Sequence, residues 1–164
     1  MWADTPGLVA LAHSEVRGPA VGARFGPSVG YTDPAAGMVA GAVRTVLSDV
    51  GDLGDGEGVG VLTISATATS ASLTALASDA GRGRLSPSRV AGAAPGSMAG
   101  LLCMVFGLRG PSLVITGAPG DVRPVAAVLA RSWLAECCHV VLVCEHEAGR
   151  EEHAVRVTAV ERSC

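Results

Sequence analysis

The sequence predicts an α/β layered domain, and three observations carry that reading. Short runs of Val, Leu and Ile bounded by glycine recur along the chain, as buried strands do. Between them lie segments whose apolar residues return every three or four positions, the pattern of a helix with one buried face. The resulting order, β-α-β-α-α-β-α-β-β, is that of sheet and helix layers. At 164 residues the chain reads as one domain, large enough for a proper core.

Taken in order, a first strand is expected within Gly7 to Val16, followed by a Gly/Pro-punctuated loop through Gly30. Asp33 can N-cap the next helix, and Pro34 suits its first turn, where no N–H partner is needed. Met38, Val39, Ala42, Val43, Val46, Leu47 and Val50 then form a wide apolar stripe that stops at Gly51. Val59 to Ser65 reads as a buried strand, and Thr67 to Ala80 as a small-residue helix ending at Gly81. A further helix carries Gly92, Gly96 and Gly100 four apart, which implies close backbone packing inside a layered fold. Leu113 to Thr116 is a short strand and Gly117 to Gly120 a tight turn. Asp121 caps a helix through Cys138, with Pro124 tolerated in its opening turn. Val140 to Cys144 is another buried strand, and His153 to Glu161 alternates as a final one.

Several motifs resemble those of the β-ketoacyl synthases, including polyketide ketosynthases. Gly107-Leu-Arg-Gly-Pro-Ser-Leu-Val-Ile-Thr-Gly-Ala-Pro119 is similar to the family's G-L-x-G-P, short strand and T-A-C. Asp33-Pro34-Ala35-Ala36 resembles the D-P-x-x-R helix, with Gly37 in place of the arginine. Gly58-Val-Gly-Val-Leu-Thr is similar to the G-V-x-V-G strand, and Ser86 to Gly100 to the helix before the signature. Val125 to His146 follows the family's helix and its strand ending in an acidic residue. The resemblance runs from Thr32 to Ala148. It implies one half of a thiolase-type fold: a mostly parallel five-stranded sheet with helices on both faces.

The resemblance also implies what the chain cannot do. The family's nucleophilic cysteine falls on Pro119, which has no ionisable side chain and no N–H. The two family histidines, in H-G-T-G-T and G-x-x-N-x-x-F-G-F-G-G contexts, have no counterpart in these residues. A ketosynthase-like protein without condensing activity is therefore expected. In the full fold two halves pack face to face, so a lone half leaves helices uncovered. At roughly 25 cal/mol per Å² of apolar burial, a second chain is expected to supply that face. Expected partners are a second copy, a ketosynthase or chain-length factor, and an acyl carrier protein. In the family the strand matching Pro111, Ser112, Leu113, Val114, Ile115 and Thr116 pairs across a dimer axis.

Composition supports the same expectation. Hydrophobic residues make up 49% and charged residues only 16%, which leaves few groups to solvate a free surface. The net charge of −3 argues against nucleic-acid binding. No apolar run approaches a membrane span, and the N-terminus has no basic secretion signal, so a cytoplasmic location is expected. Five cysteines, at 103, 137, 138, 144 and 164, show no paired metal spacing and fit reduced thiols. No cofactor is expected, since no phosphate-cradling glycine loop opens a helix.

Three residues are candidates for other chemistry. Asp121 occupies the helix start where the family favours a thiolate, with capping as the simpler role. Glu145 and His146, with Glu147, follow the fourth strand at a sheet end where α/β sites gather. A histidine flanked by carboxylates can shuttle protons, as an isomerase, cyclase or dehydratase acting on a polyene or β-keto intermediate would need. The plainer reading is a solvated charged loop continuing through Arg150, Glu151, Glu152 and His153. His13, His139 and Arg109 read as structural or ion-pair residues.

Overall fold

The computed structural model describes residues 2–19, 33–149 and 152–163. The loop expected through Gly30, together with Arg150, Glu151 and Cys164, lies outside them. A 3-10 turn at Trp2–Asp4 precedes β1 (Leu8–Gly18), α1 (Pro34–Val50), β2 (Val59–Ser65), α2 (Ser70–Ala80), α3 (Pro87–Ala93) and α4 (Ser97–Phe106). Then come β3 (Ser112–Thr116), α5 (Pro119–Glu136), β4 (Val140–Ala148) and β5 (His153–Arg162). The strands form one sheet in the order β1-β5-β4-β2-β3. β2 pairs parallel with β3 and β4, while β5 pairs antiparallel with both β4 and β1. Four strands thus point one way and β5 alone runs back, so the sheet is mostly parallel.

The core divides by strand alternation, because successive side chains leave opposite faces. Val59, Val61, Val140, Leu142, Cys144, Val155 and Val157 meet α1 and α4 on one face. Leu62, Ile64, Val141, Val143 and Val160 meet α5 and Trp2 on the other. Helices therefore cover both faces, as expected. Gly110 lets the α4–β3 connection run against β2, where a Cβ would collide with the Val59 carbonyl.

α1 begins and ends where the sequence places it. Asp33 Oδ1 accepts from the Ala35 N–H at 2.9 Å, and Gly51 adopts φ 87° at the exit. The helix expected before the signature is instead two helices, α3 and α4, meeting at 104°. Pro95 is the cause: it forces Ala94 into extended backbone at φ −64°, ψ 136°. The close packing expected at Gly96 and Gly100 is also absent, since a Cβ at either would meet nothing within 4 Å. α2 starts at Ser70, three residues later than expected, after Thr69 donates to the Ala93 carbonyl at 2.6 Å. No single helix among the described residues is long and apolar enough to cross a membrane.

Candidate functional site

The turn between β3 and α5 is the position at which the family resemblance places a nucleophile. Gly117 donates its N–H to the Ser65 carbonyl at 3.1 Å, which ties the turn to the end of β2. Gly117 has no room for a side chain, because a Cβ would come within 2.5 Å of Val122. Ala118 is the N-cap and Pro119 the first helical residue, buried. The expectation that Asp121 caps this helix is corrected. The fixed φ of Pro119 starts α5 two residues earlier, and Asp121 lies exposed in the first turn with no side-chain capping bond. Pro124 consequently sits in the second turn, not the first.

Three of the described thiols are buried and inert. Burial raises the pKa of Cys103 and Cys144, and pushes Cys138 up to about 12 with help from neighbouring Cys137. All three remain protonated near neutrality and are poor nucleophiles. Cys137 and Cys138 lie with sulfurs 3.8 Å apart and unbridged.

The charged loop expected after Cys144 is also corrected. β4 runs on through Ala148, and both Glu145 and His146 are buried in it. Pairing with β2 and β5 explains this: Glu145 lies opposite Ile64 and Arg156, His146 opposite Ser65 and Val155. The alternation sends the two side chains to opposite faces of the sheet, so they do not form one flanked-histidine cluster. Glu145 faces α5, where Arg123 donates from both Nε and Nη2 to its Oε1 at 3.1 and 2.8 Å.

His146 faces α1 and α2 at the centre of a buried polar chain. Its Nδ1 lies 2.8 Å from Ser65 Oγ, and its Nε2 lies 2.8 Å from Nδ1 of half-buried His153. Ser65 Oγ also accepts the Ala68 N–H at 2.8 Å. Two tautomers satisfy both contacts: Ser65 donating to Nδ1 with Nε2–H donating to His153, or Nδ1–H donating to Ser65 with His153 donating to Nε2. Burial, reinforced by neighbouring His153, lowers the His146 pKa to about 4 against an opposing pull from Asp33 and Glu147. His146 is therefore neutral at physiological pH. A cavity of about 220 Å³ adjoins it, lined also by Asp33, Thr67, Ser70 and Thr74. Asp33 is held there by the Ala35 N–H and by Ser72 Oγ, which donates at 2.6 Å.

Sequence reasoning missed Ser65, His153 and Arg123 as parts of these clusters. The sequence carries little signal for them: Val140 to Cys144 is a continuous apolar run and Glu145-His146-Glu147 is uniformly polar, with no alternation to mark a strand. His13, Arg109 and His139 are structural, surface or ion-pair residues. His13 lies 3.0 Å from Thr158 Oγ1, Arg109 pairs with Glu57 at 3.7 Å on the surface, and His139 is exposed beside Gly58.

Exposed large apolar residues occur in both layers, Met104 of α4 being 71% exposed, but α1 and α5 differ. The outward residues of α1 are Gly41, Arg44, Thr45, Ser48 and Asp49. On α5 the exposed residues are Gly120, Asp121, Arg131, Ala135 and Glu136 together with Pro124, Val125 and Val128, the two valines 57% and 58% exposed. β3 ends the sheet with one unpaired edge, and Leu113, opposite Leu62 on the α5 side, is 40% exposed.

Comparison with known proteins places this architecture. No family model and no curated protein matches the chain. Solved structures do. The chain is similar to a complex of a ketosynthase, ApeO, with its chain length factor, ApeC, from Xenorhabdus doucetiae. That match has TM-score 0.70 at 10% identity and covers 96% of this chain and 80% of the matched one. The ishigamide ketosynthase/chain length factor matches with TM-score 0.65 at 16% identity, over 88% of this chain and 47% of that one. The complex AntDE:AntF, a type II polyketide synthase acyl-carrier protein with its ketosynthase bound to the hexaketide, matches with TM-score 0.61 at 14% identity. There the match covers 80% of this chain and 46% of the other. The chain has the fold of ketosynthase and chain length factor structures. It spans about half the length of the matched chains in the last two, but most of the matched chain in the first.

Proposed function

We propose that this chain is a ketosynthase-like subunit of polyketide biosynthesis, without condensing activity, that docks on a ketosynthase and shapes the space for a carrier-bound acyl chain. The observation that carries the reading is the surface contrast: α5 turns Val125 and Val128 outward beside an open β3 edge, while α1 is polar outside. An apolar outer face on a helix that already packs on the sheet marks a surface for a second protein. Pro119 at the start of α5, with no ionisable thiol in its place, supports the loss of condensation. A ketosynthase is favoured over a second copy because one matched complex pairs a ketosynthase with a chain length factor, and its matched chain is itself mostly spanned by this fold. An intracellular location and contact with an acyl carrier protein follow from that role.

Co-expression with a ketosynthase of the same organism tests the proposal. The expected result is a stoichiometric complex that survives gel filtration. A chain that stays monomeric beside every such ketosynthase refutes it.

The Ser65–His146–His153 chain favours a second reading, an acid–base enzyme acting on a β-keto or polyene intermediate. A neutral buried imidazole between a hydroxyl and a second imidazole is built to pass a proton. It predicts turnover that disappears in His153→Phe and His146→Gln. Equal rates in both variants and the parent chain remove it.

A further inference from the structure

Among the described residues, Ala68 alone of the non-glycines has left-handed backbone, at φ 44°. Such strain persists where neighbouring bonds hold it, and it collects at functional sites. The holding bond here runs from Ala68 N–H to Ser65 Oγ, and Ser65 in turn meets His146. Ala68 and His146 both line the cavity of about 220 Å³ beyond the end of β2.

His153 is the outer end of this chain. Its ring and that of His146 have centroids 5.1 Å apart and planes 15° apart. With nitrogens only 2.8 Å apart, the rings lie edge to edge in nearly one plane, as an N–H···N bond requires. His153 Nδ1 is therefore spent on His146. Its Nε2, on the far side of the ring, has no hydrogen-bond partner among the described residues. Half-buried His153 lines both the cavity and a wider cleft beside Arg17, Glu147 and Glu152. Of the two tautomers, one leaves Nε2 as an open base: His153 Nδ1–H donates to His146, and His146 Nδ1–H to Ser65.

The cavity wall sets the charge of a guest. Asp33 presents a buried carboxylate there, and among the described lining residues none is an arginine. An anion would meet that carboxylate with no cation to offset it, so the guest is neutral. Thr67 and Ser70 add hydroxyl donors for an oxygen of the guest. Imidazole is a weak base, so the proton it removes has to be an acidic one, on a carbon between two carbonyls.

We infer, on the acid–base reading, that His153 Nε2 removes the α-proton of a neutral 1,3-dicarbonyl compound, a β-keto ester or thioester, held in this cavity. The C–H electron pair becomes the enolate, whose oxygen accepts from Thr67 or Ser70, while the proton sits on His153. Return of a proton to the same carbon restores the ketone with its α-hydrogen exchanged. His146 and Ser65 are positioning residues that fix the tautomer of His153.

Ethyl 2-methylacetoacetate in D₂O is the probe, read by ¹H NMR as loss of its α-proton. The intact chain should speed exchange saturably over the protein-free blank. His153→Ala should lower the protein-dependent rate about 100-fold, and added imidazole should restore part of it above an imidazole-only blank. In mildly alkaline buffer ¹⁵N NMR should find His153 Nε2 without a proton, and His146→Leu should move the proton there and slow exchange. A protonated Nε2 in the intact chain overturns the assignment, whether or not the variants fold. Exchange that survives His153→Ala but not His146→Leu also overturns it, and leaves the acid–base reading standing. Exchange no faster than the blank overturns it too; turnover of a polyene would then keep the broader reading, and no turnover would remove both.

Discussion

Helices α1 and α5 are of nearly equal length and both pack on the same sheet, yet their outer surfaces differ in kind. α1 buries Val39, Val43 and Val46 and shows Arg44, Thr45, Ser48 and Asp49 to solvent. α5 buries Pro119, Ala126, Ala127, Ala130 and Leu134 and shows Val125 and Val128 alongside Asp121, Pro124, Arg131 and Glu136. The largest apolar residues of α5, Leu129, Trp133 and Leu134, pack toward the sheet, while Val125 and Val128 point away from it. A helix that faces water outside has its amphipathic stripe turned inward. α5 instead leaves two valines exposed although its inner side is already packed, an apolar patch of the kind that can serve as an interaction surface. The difference is that α1 exposes no large apolar side chain, whereas α5 exposes two.

The contrast predicts unequal responses to the same kind of substitution. The largest effect belongs to the inner side of α1: Val43→Asp places a carboxylate in a fully buried site and should cost about 4 kcal/mol or unfold the chain. Urea unfolding measures it, and a loss under ~1 kcal/mol would mean that α1 does not seal the core.

Next comes the buried ion pair under α5. Arg123→Met strands the Glu145 carboxylate and should cost about 2–3 kcal/mol, below a fully buried pair because Arg123 is itself one-third exposed. The double variant Arg123→Met/Glu145→Gln should recover most of the loss. If the double variant is no better than the single, the pair is not what holds α5 there.

On the α1 side, His146 gives stability a pH dependence. Its folded pKa of about 4 lies below the ordinary value of 6.5, so the unfolded chain binds the extra proton between them. The His146 contribution is complete above about pH 6.5 and falls away as pH drops toward 4. Sharing of the proton with His153 limits the change to roughly 1–2 kcal/mol. Denaturant midpoints from pH 7 to pH 4 should drop less steeply in His146→Gln; parallel curves would mean that His146 does not carry the effect.

The smallest effect is expected on the outer side of α1. Arg44→Ala and Ser48→Ala should change stability by no more than about 0.5 kcal/mol and leave partner binding alone. A weakened complex in either would move the docking surface to the wrong face.

The elements were legible where local chemistry decides. β2 and α1 have the limits read from sequence, because glycine bounds the one and the Asp33-Pro34 and Gly51 signals bound the other. The break at Pro95 is written in the sequence too, because a proline drives the residue before it out of helical backbone. The β4 cluster was harder. Glu145-His146-Glu147 has the composition of a solvated loop, and only pairing with Ser65 and with β5 makes it a buried strand. Those contacts join residues 81 apart, as in the Ser65–His146 bond, and no local propensity reports them. The start of α5 at Pro119 was not read, because Asp121 offers the more obvious capping side chain, and which helix face lies open required the sheet.

The most direct test is to carry Val125→Asp and Val128→Asp together into a chain co-expressed with its ketosynthase. The account predicts an unfolding midpoint within about 0.5 kcal/mol of the parent chain, with partner affinity at least ~30-fold weaker by analytical ultracentrifugation. A complex of undiminished affinity, or an isolated chain destabilised as strongly as Val43→Asp, would contradict it.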